Sequence, residues 1–402
     1  MPSAYIKTCG LVFGFLGILF IPIPFNLFPY QAIISNGIFG KLIHYIAIHL
    51  FNIEHNYQEI SSDSSSMYIL ILILFCTSLL LSVIVFYNKK WKQNSQKINS
   101  FFLTTICYYL ALMLFKYGID KVFKSQFYLP EPNILYTPLG YLDKDILFWS
   151  TMGTSYSYNI FMGAIQLLSA LLLLVKRTRV IGLLLSCGIF THIIAINFSF
   201  DISVKLYSIF LLMISLLILS PNFYRLYKIF ILNRATRLTL SSTSFSIFNH
   251  SSRKGFLKTF VILFILLEAL FPYLESENFN DDYANRPFLH GAYAVERNLE
   301  TPYLSNRPRP NIQRFFIHRN GYIIFQDNNN LMTDYRLTID NKHFILTDYS
   351  LNQQKLTYQY SEKDKTLTLQ GIYQGVRHQI KGKVLDWKSL PVMRNKFHWT
   401  VD

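Results

Sequence analysis

The sequence predicts a protein in two parts: an α-helical polytopic membrane bundle of about seven transmembrane helices, then a C-terminal all-β antiparallel sandwich or barrel. Three observations carry this. Up to residue 272 the chain repeats apolar runs long enough to cross a hydrocarbon core of about 30 Å. Residues 311–402 instead alternate with period two between turns, as in RFFIHR, YIIFQD and KHFILTD. The formal net charge of +15 is also uneven. Segments 1–7, 89–97, 176–179 and 225–258 hold fifteen Lys and Arg and no Asp or Glu, while the rest of the chain balances at 23 of each sign. Basic segments that flank apolar runs are the positive-inside pattern. The partner of that charge is a lipid bilayer, and nucleic acid is excluded.

In order along the chain, Lys7 precedes the apolar run Cys9–Ile21, which the breakers Pro22, Pro24 and Pro29 close. No small-x-small cleavage site follows, so this is a retained helix leading into an apolar hook that reaches Gly40. Residues 41–58 place Leu42, Tyr45, Ile46 and Ile53 near one face, as in an amphipathic helix lying on the outer surface. His44 and His49 are i,i+5 and well apart around a helix; with His55 they read as surface histidines, not metal ligands. A Ser-rich turn leads to a second span, Met67–Tyr87, a basic loop, Lys89–Lys97, and a third span, Phe101–Phe123. Residues 128–158 are too long for a simple connection and read as a lid or a docked re-entrant segment. Asn159–Val175, Val180–Phe198 and Ile202–Leu219 are the fourth to sixth spans, and Phe260–Phe271 with its flanks is the seventh. Between them, 221–258 is a basic segment with a flexible SSTSFS centre.

The composition then divides the chain into 1–100 (two spans and the outer helix), 101–220 (four spans), 221–272 (basic segment and last span), 273–310 (polar linker) and 311–402 (β-domain). His290, His318, His343, His378 and His398 are scattered without ligand spacing, so the β-domain reads as a docking module. Cys9, Cys76, Cys107 and Cys187 lie inside apolar runs as packing residues, which leaves no disulfide framework and no CxxC centre.

The polar groups concentrate at the end of the third span, in Tyr109–Phe127. Lys116–Asp120 and Asp120–Lys124 have i,i+4 spacing, Tyr117, Lys121 and Lys124 share a face, and Gly118 keeps a neighbouring helix close. Lys124 is expected one turn closer to water than Lys121. At about 1.5 Å per residue, Lys121 stands roughly 30 Å from the inner start of its span, at the outer boundary. Gln166 and His192 lie about 10–12 Å below the outer ends of theirs, with Asn197 nearer the surface. Asp201 and Lys205 bracket the next helix as an i,i+4 pair. Each alone reads as an interhelical hydrogen bond. Their shared depth predicts an outward-facing polar cavity of Tyr117, Lys121, Gln126, Gln166, His192, Asn197, Asp201 and Lys205, without a metal. Glu268, mid-span, must be protonated or paired.

KYGIDKVFKSQF (116–127), the fourth span with Gln166 and its LLLLVKRTR ending, and INFSFDISVKLYS (196–208) resemble the DoxX family of bacterial membrane proteins. The likeness covers roughly 105–220 as a DoxX-like four-helix unit. It is strongest to long, Bacteroidetes-type members with an added extracytoplasmic β-domain, whose tail motif is matched by Phe397-His398-Trp399. The resemblance implies a multi-pass protein of the bacterial inner membrane, and the basic loops with an odd number of spans put the N-terminus in the cytoplasm and the β-domain in the periplasm. The wider group includes small subunits of thiosulfate:quinone oxidoreductase and MauE-type maturation proteins. It thereby implies a redox component handling quinone or a small sulfur compound, with Lys121, Gln166 and His192 binding quinone oxygens or relaying protons. An acidic residue is common in the family where Gln166 stands, which counts against a relay at that position. The alternative is a non-enzymatic scaffold whose β-domain docks an envelope protein. More distantly, the Lys-bearing helix is similar to that of vitamin-K-dependent carboxylases, which would make Lys121 a base.

The topology is directly testable. Alkaline phosphatase fused after Asp402 should be active and fused near Ser242 inactive, and the reverse pattern would overturn the map.

Overall fold

The computed structural model describes residues 2–53, 59–239, 251–298, 312–341, 343–373, 376–394 and 399–400. Its helices are α1 (Pro2–Phe20), α2 (Gln31–Phe51), α3 (Ser65–Tyr87), α4 (Lys89–Val122), α5 (Pro132–Leu135), α6 (Lys144–Thr154), α7 (Tyr156–Leu174), α8 (Arg179–Ser199), α9 (Lys205–Leu219), α10 (Phe223–Phe230) and α11 (Ser251–Ser276). Eight strands follow: β1 (Gly291–Asn298), β2 (Ile312–His318), β3 (Tyr322–Asp327), β4 (Met332–Asp340), β5 (His343–Thr347), β6 (Gln353–Ser361), β7 (Thr366–Tyr373) and β8 (Val376–Leu385). The chain divides into two compact units, 1–126 with 157–279 and 127–156 with 280–402.

The first unit is a helical bundle. Helices immersed in lipid gain little from the hydrophobic effect against one another, so close packing and hydrogen bonds hold them together. α1 and α3 run antiparallel: Tyr5 Oη donates to Leu79 O at 3.1 Å, and the Phe13 and Phe75 rings meet edge to face. As the sequence predicts for Gly118, α4 and α7 approach closely, and a Cβ at Gly163 would lie 2.7 Å from Gly118 O. α7 and α8 are joined by Ser169, whose hydroxyl donates to Gly182 O at 3.0 Å and lies 2.9 Å from Ser186 Oγ.

Side chains satisfy the carbonyls and amides that helix ends leave without partners. Gln31 Nε2 donates to Ile18 O and Leu19 O, and Ser35 Oγ donates to Phe20 O, so the start of α2 closes the end of α1. The hook therefore stops at Tyr30, right after its last proline, and not at Gly40. Thr178 and Arg179 donate to Leu172 O and Leu173 O at the end of α7. Arg179 is consequently buried, although its KRTR context reads as a surface cluster. The stretch Lys89–Lys97, expected as a loop, forms the first turns of α4.

Seven described helices are long and apolar enough to cross a membrane, Gln31–Phe51 among them, with Tyr5–Phe20 as a shorter apolar helix. Length alone does not decide which ones cross. α2 starts against the end of α1, Asn36 Oδ1 accepts from Ile60 N at 2.8 Å, and the next residues seat on the start of α9: Ser62 Oγ donates to Ser203 O. The chain thus returns by Ile60 to the end of the bundle at which α2 begins. Residues 41–51 of the predicted outer helix are the second half of α2, with His44 and His49 exposed, while 54–58, including His55, lie outside the described residues. The other end of the bundle gathers Lys7, the start of α4, the α7–α8 turn and α10, which are the basic segments.

The second unit is a closed antiparallel barrel in which each strand pairs with its sequence neighbours and β1 with β8. Inward residues, among them Tyr293, Phe315, Ile323, Leu337, Phe344 and Leu367, fill it as a packed core. Gly382 makes room for the Phe315 ring, which a Cβ there would strike. Two boundaries differ from the sequence reading. β1 lies inside the predicted polar linker, and 127–156 belong to the barrel's unit, with Tyr136 packed on the outward face of Phe316 at a centroid distance of 6.0 Å.

Candidate functional site

Polar groups cluster in the bundle at the end that carries the hook, and Glu268 of α11 is the most deeply buried acid among them, at 0% exposure. A carboxylate at this depth needs partners. Asn26 N donates to its Oε1 at 2.6 Å and Leu27 N to its Oε2 at 2.9 Å, while Lys116 Nζ stands 3.8 Å away as an ion pair. One turn on, Pro272 lacks the N–H that would bond Glu268 O. α11 continues through it nonetheless, because Asn26 Nδ2 donates to that carbonyl at 2.9 Å. Tyr273 then donates to Asp120 Oδ1 at 2.6 Å and hydrogen-bonds Ser125.

The residues predicted to line one cavity fall into separate groups. Lys121, buried, donates to Gln126 Oε1 at 2.6 Å and lies 5.9 Å from the centre of the Tyr117 ring, so these three are together. Asn197 Nδ2 donates to Ser208 Oγ at 3.2 Å and Val204 O at 3.4 Å, which staples the α8–α9 turn. Lys205 pairs with exposed Asp201 at 2.8 Å, as predicted from spacing. The start of α9 is capped instead by Asp63, whose carboxylate accepts from Lys205 N and Leu206 N. Gln166 is 1% exposed, and its Oε1 has no hydrogen-bond partner among the described residues. His192 is exposed on α8: depth along the helix placed it at the right level but not on the inward side. Lys116 forms its ion pair with Glu268. α4 ends at Val122, so Lys124, with φ 57, sits beyond helical i,i+4 geometry; at 1% exposure it is buried and not nearer water than Lys121. A buried phenol pair, Tyr109 and Tyr207 at 3.0 Å, went unpredicted because each residue alone reads as core.

The second unit holds a cluster that no local motif announces. Glu131, at the start of α5, accepts from His290 Nε2 at 2.8 Å and forms an ion pair with Arg319 Nε at 2.9 Å; His318 Nε2 is 4.0 Å away. The Arg319 Nε–H does not point at the carboxylate, so that contact is coulombic, while the Arg319 backbone N donates to Glu131 Oε2 at 3.4 Å. Arg319 also bonds Asp281 and lies over the Tyr128 ring at 4.4 Å. The network ties the 127–156 excursion to the barrel. The sequence signals were slight: an acid between two prolines, Pro130 and Pro132, and a His-Arg-Asn-Gly turn. Among the described residues, no group of three or more His, Cys, Asp or Glu is placed to hold a metal. Phe397 and His398 of the tail motif, and the side chain of His378, lie outside the described residues.

The chain is 34% identical over 112 residues to the uncharacterized protein YwoB of Bacillus subtilis (strain 168), a match covering 28% of this chain and 70% of that protein. The chain belongs to the YwoB family. No family model and no solved structure matches it.

In this family member the Glu131 cluster makes stability depend on pH with a definite sign. Burial raises the Glu131 carboxyl, but the His290 hydrogen bond and the charges of His290, His318 and Arg319 outweigh it and hold the group below its ordinary 4.5. Burial lowers His318 below 6.5, Glu131 partly opposes this, and Arg319 and His290 add to it. For both groups the unfolded chain takes up the proton first as pH falls, so stability is lost on acidification: below 6.5 through His318 and below 4.5 through Glu131. Tryptophan-fluorescence melts of the full chain should show a falling Tm from pH 7 to 5, and the fall should be smaller in His318→Gln. A variant that falls as steeply as the parent contradicts this.

Proposed function

We propose that this protein is a membrane-anchored docking scaffold of the bacterial envelope, with the basic end of its bundle cytoplasmic and its barrel in the periplasm, where it holds a protein partner. The observation that carries this reading is the β5–β6 tip. Tyr349 and Leu351 are 85% and 82% exposed there, and Leu351 is held at φ 64, a conformation that branched residues seldom adopt. The turn is rigid: Asp348 Oδ1 accepts from Ser350 N and Asn352 N, and Tyr349 Oη donates to Asp334 at 2.6 Å. A solvent-facing tyrosine is among the residue types enriched in interface anchors, and Leu351 extends the apolar surface beside it. A closed barrel has no free strand edge, so a partner engages loops such as this one and does not add a strand. The bundle supports the same reading, since Glu268, Asp120 and Lys121 all bond within it.

A redox function in the manner of the DoxX-like proteins that 116–127 resembles is the second reading. One observation favours it. The buried Gln166 Oε1 without a partner is an acceptor suited to a quinol hydroxyl, and Tyr117 and Lys121 supply further polar groups in the bundle.

Purification of the full chain in mild detergent separates the two. The scaffold predicts no stoichiometric quinone in a solvent extract and an envelope protein that co-purifies with the parent. Tyr349→Ser with Leu351→Ser should lose that protein at least tenfold, as expected when an interface anchor worth more than about 1.4 kcal/mol is removed. Bound quinone, or co-purification indifferent to the tip, overturns the reading.

A further inference from the structure

Beyond the docking tip, the basic end of the bundle carries a second surface. From Ile202 to Leu267 the chain contains no Asp or Glu, while 225–258 contain seven Lys and Arg. α10 follows α9 through a 3-10 turn at Ser220–Asn222. Its Leu226 packs against the bundle core, as does Leu238 further on, and this fixes which side faces inward. Tyr224, Tyr227 and Phe230 are 67%, 48% and 69% exposed, and Tyr224 lies opposite Leu226 with Tyr227 beside it at i,i+3. The chain after α10 is fastened back onto its start. Asn222 Oδ1 accepts from Thr239 N at 2.8 Å and Asn222 Nδ2 donates to Thr239 O at 3.2 Å, with Arg225 bonded to Thr239 Oγ1. Arg234 N donates to Lys228 O at 2.9 Å, Arg234 and Arg237 are exposed, and Lys228 Nζ lies 4.5 Å from the centre of the Tyr224 ring.

We propose that α10 and the returning segment 231–239 form a binding surface for anionic phospholipid headgroups. Three features select that occupant. The surface follows the last turn of α9 at the basic end of the bundle, as the end of the apolar run Lys205–Phe230. Exposed aromatic rings beside cations match the apolar acyl boundary and the charged headgroups above it. The cations have no acidic neighbour along this stretch of chain to neutralise them, so the complementary charge is supplied from outside. Arg225 is held by Thr239 and Pro221 and positions the segment. Arg234 and Arg237 contact the headgroups.

The test is native mass spectrometry of the full chain in mild detergent with equimolar phosphatidylglycerol and phosphatidylcholine. The parent should retain phosphatidylglycerol in preference. Each cation near an anionic surface is worth about fivefold in binding, so Arg234→Gln with Arg237→Gln should reduce retention roughly twentyfold. Tyr224→Ser with Tyr227→Ser should reduce it severalfold with no change of charge. Lys176→Gln with Arg177→Gln, which removes two cations elsewhere at the same end of the bundle, should keep most of it. Circular-dichroism melts that match the parent confirm that each variant is folded. Equal retention of the two lipids by the parent overturns the proposal, as does equal loss from all three double variants. So does an unchanged Arg234/Arg237 variant, or one that loses a co-purifying protein in place of lipid.

Discussion

Glu268 is the constraint on which the helical unit depends. A carboxylate taken out of water costs several kcal/mol unless its charge is met by donors and a cation. Here two consecutive backbone amides and Lys116 meet it, and the amides come from the hook between α1 and α2, some 240 residues earlier in the chain. Pro272 completes the arrangement by leaving Glu268 O without its helical donor, so that Asn26 bridges carboxylate and carbonyl alike. With the hook fixed, the end of α1 is fixed, Gln31 and Ser35 can close its carbonyls, and α2 is set at that end of the bundle. Lys116 ties the same point to α4, and Tyr273 repeats the link through Asp120.

The charged residues at the end of α4 belong to the same set of contacts. Their crowding reads as a cavity when each is placed only by depth. Their bonds show instead a set of joints: Asp120 to α11, Lys121 to the turn after its own helix, Asp63 to α9 and Asn197 across the α8–α9 turn. Removing one partner of a buried pair leaves the other uncompensated, so each joint penalises arrangements of the helices that separate its partners. Gln166 stands outside this set, with no hydrogen-bond partner for its Oε1 among the described residues.

Most of the architecture was legible in local pattern. Apolar runs, the prolines of the hook, the one-sided basic segments and the period-two alternation of 311–402 gave the helical and β parts, because each is a property of neighbouring residues. The rest depends on contacts that leave no local trace. Glu268 meets Asn26, and Glu131 meets His290, across 242 and 159 residues. His192 shows a related gap, since hydropathy fixes how deep a side chain lies but not the direction around the helix in which it points. β1 was hidden in the linker because one strand beside a Pro-rich stretch is too short to establish a period, although it closes the barrel against β8.

Hydrogen exchange of the Ile21–Tyr30 hook, measured on the full chain in lipid nanodiscs, tests the central claim most directly. The Asn26 and Leu27 amides lie in no helix or strand, yet the account predicts that they exchange as slowly as those in the spanning helices. Glu268→Ala should abolish that protection and leave the centre of α4 unchanged. Exchange at the rate of an unstructured loop in the parent, or protection that survives Glu268→Ala, would contradict it.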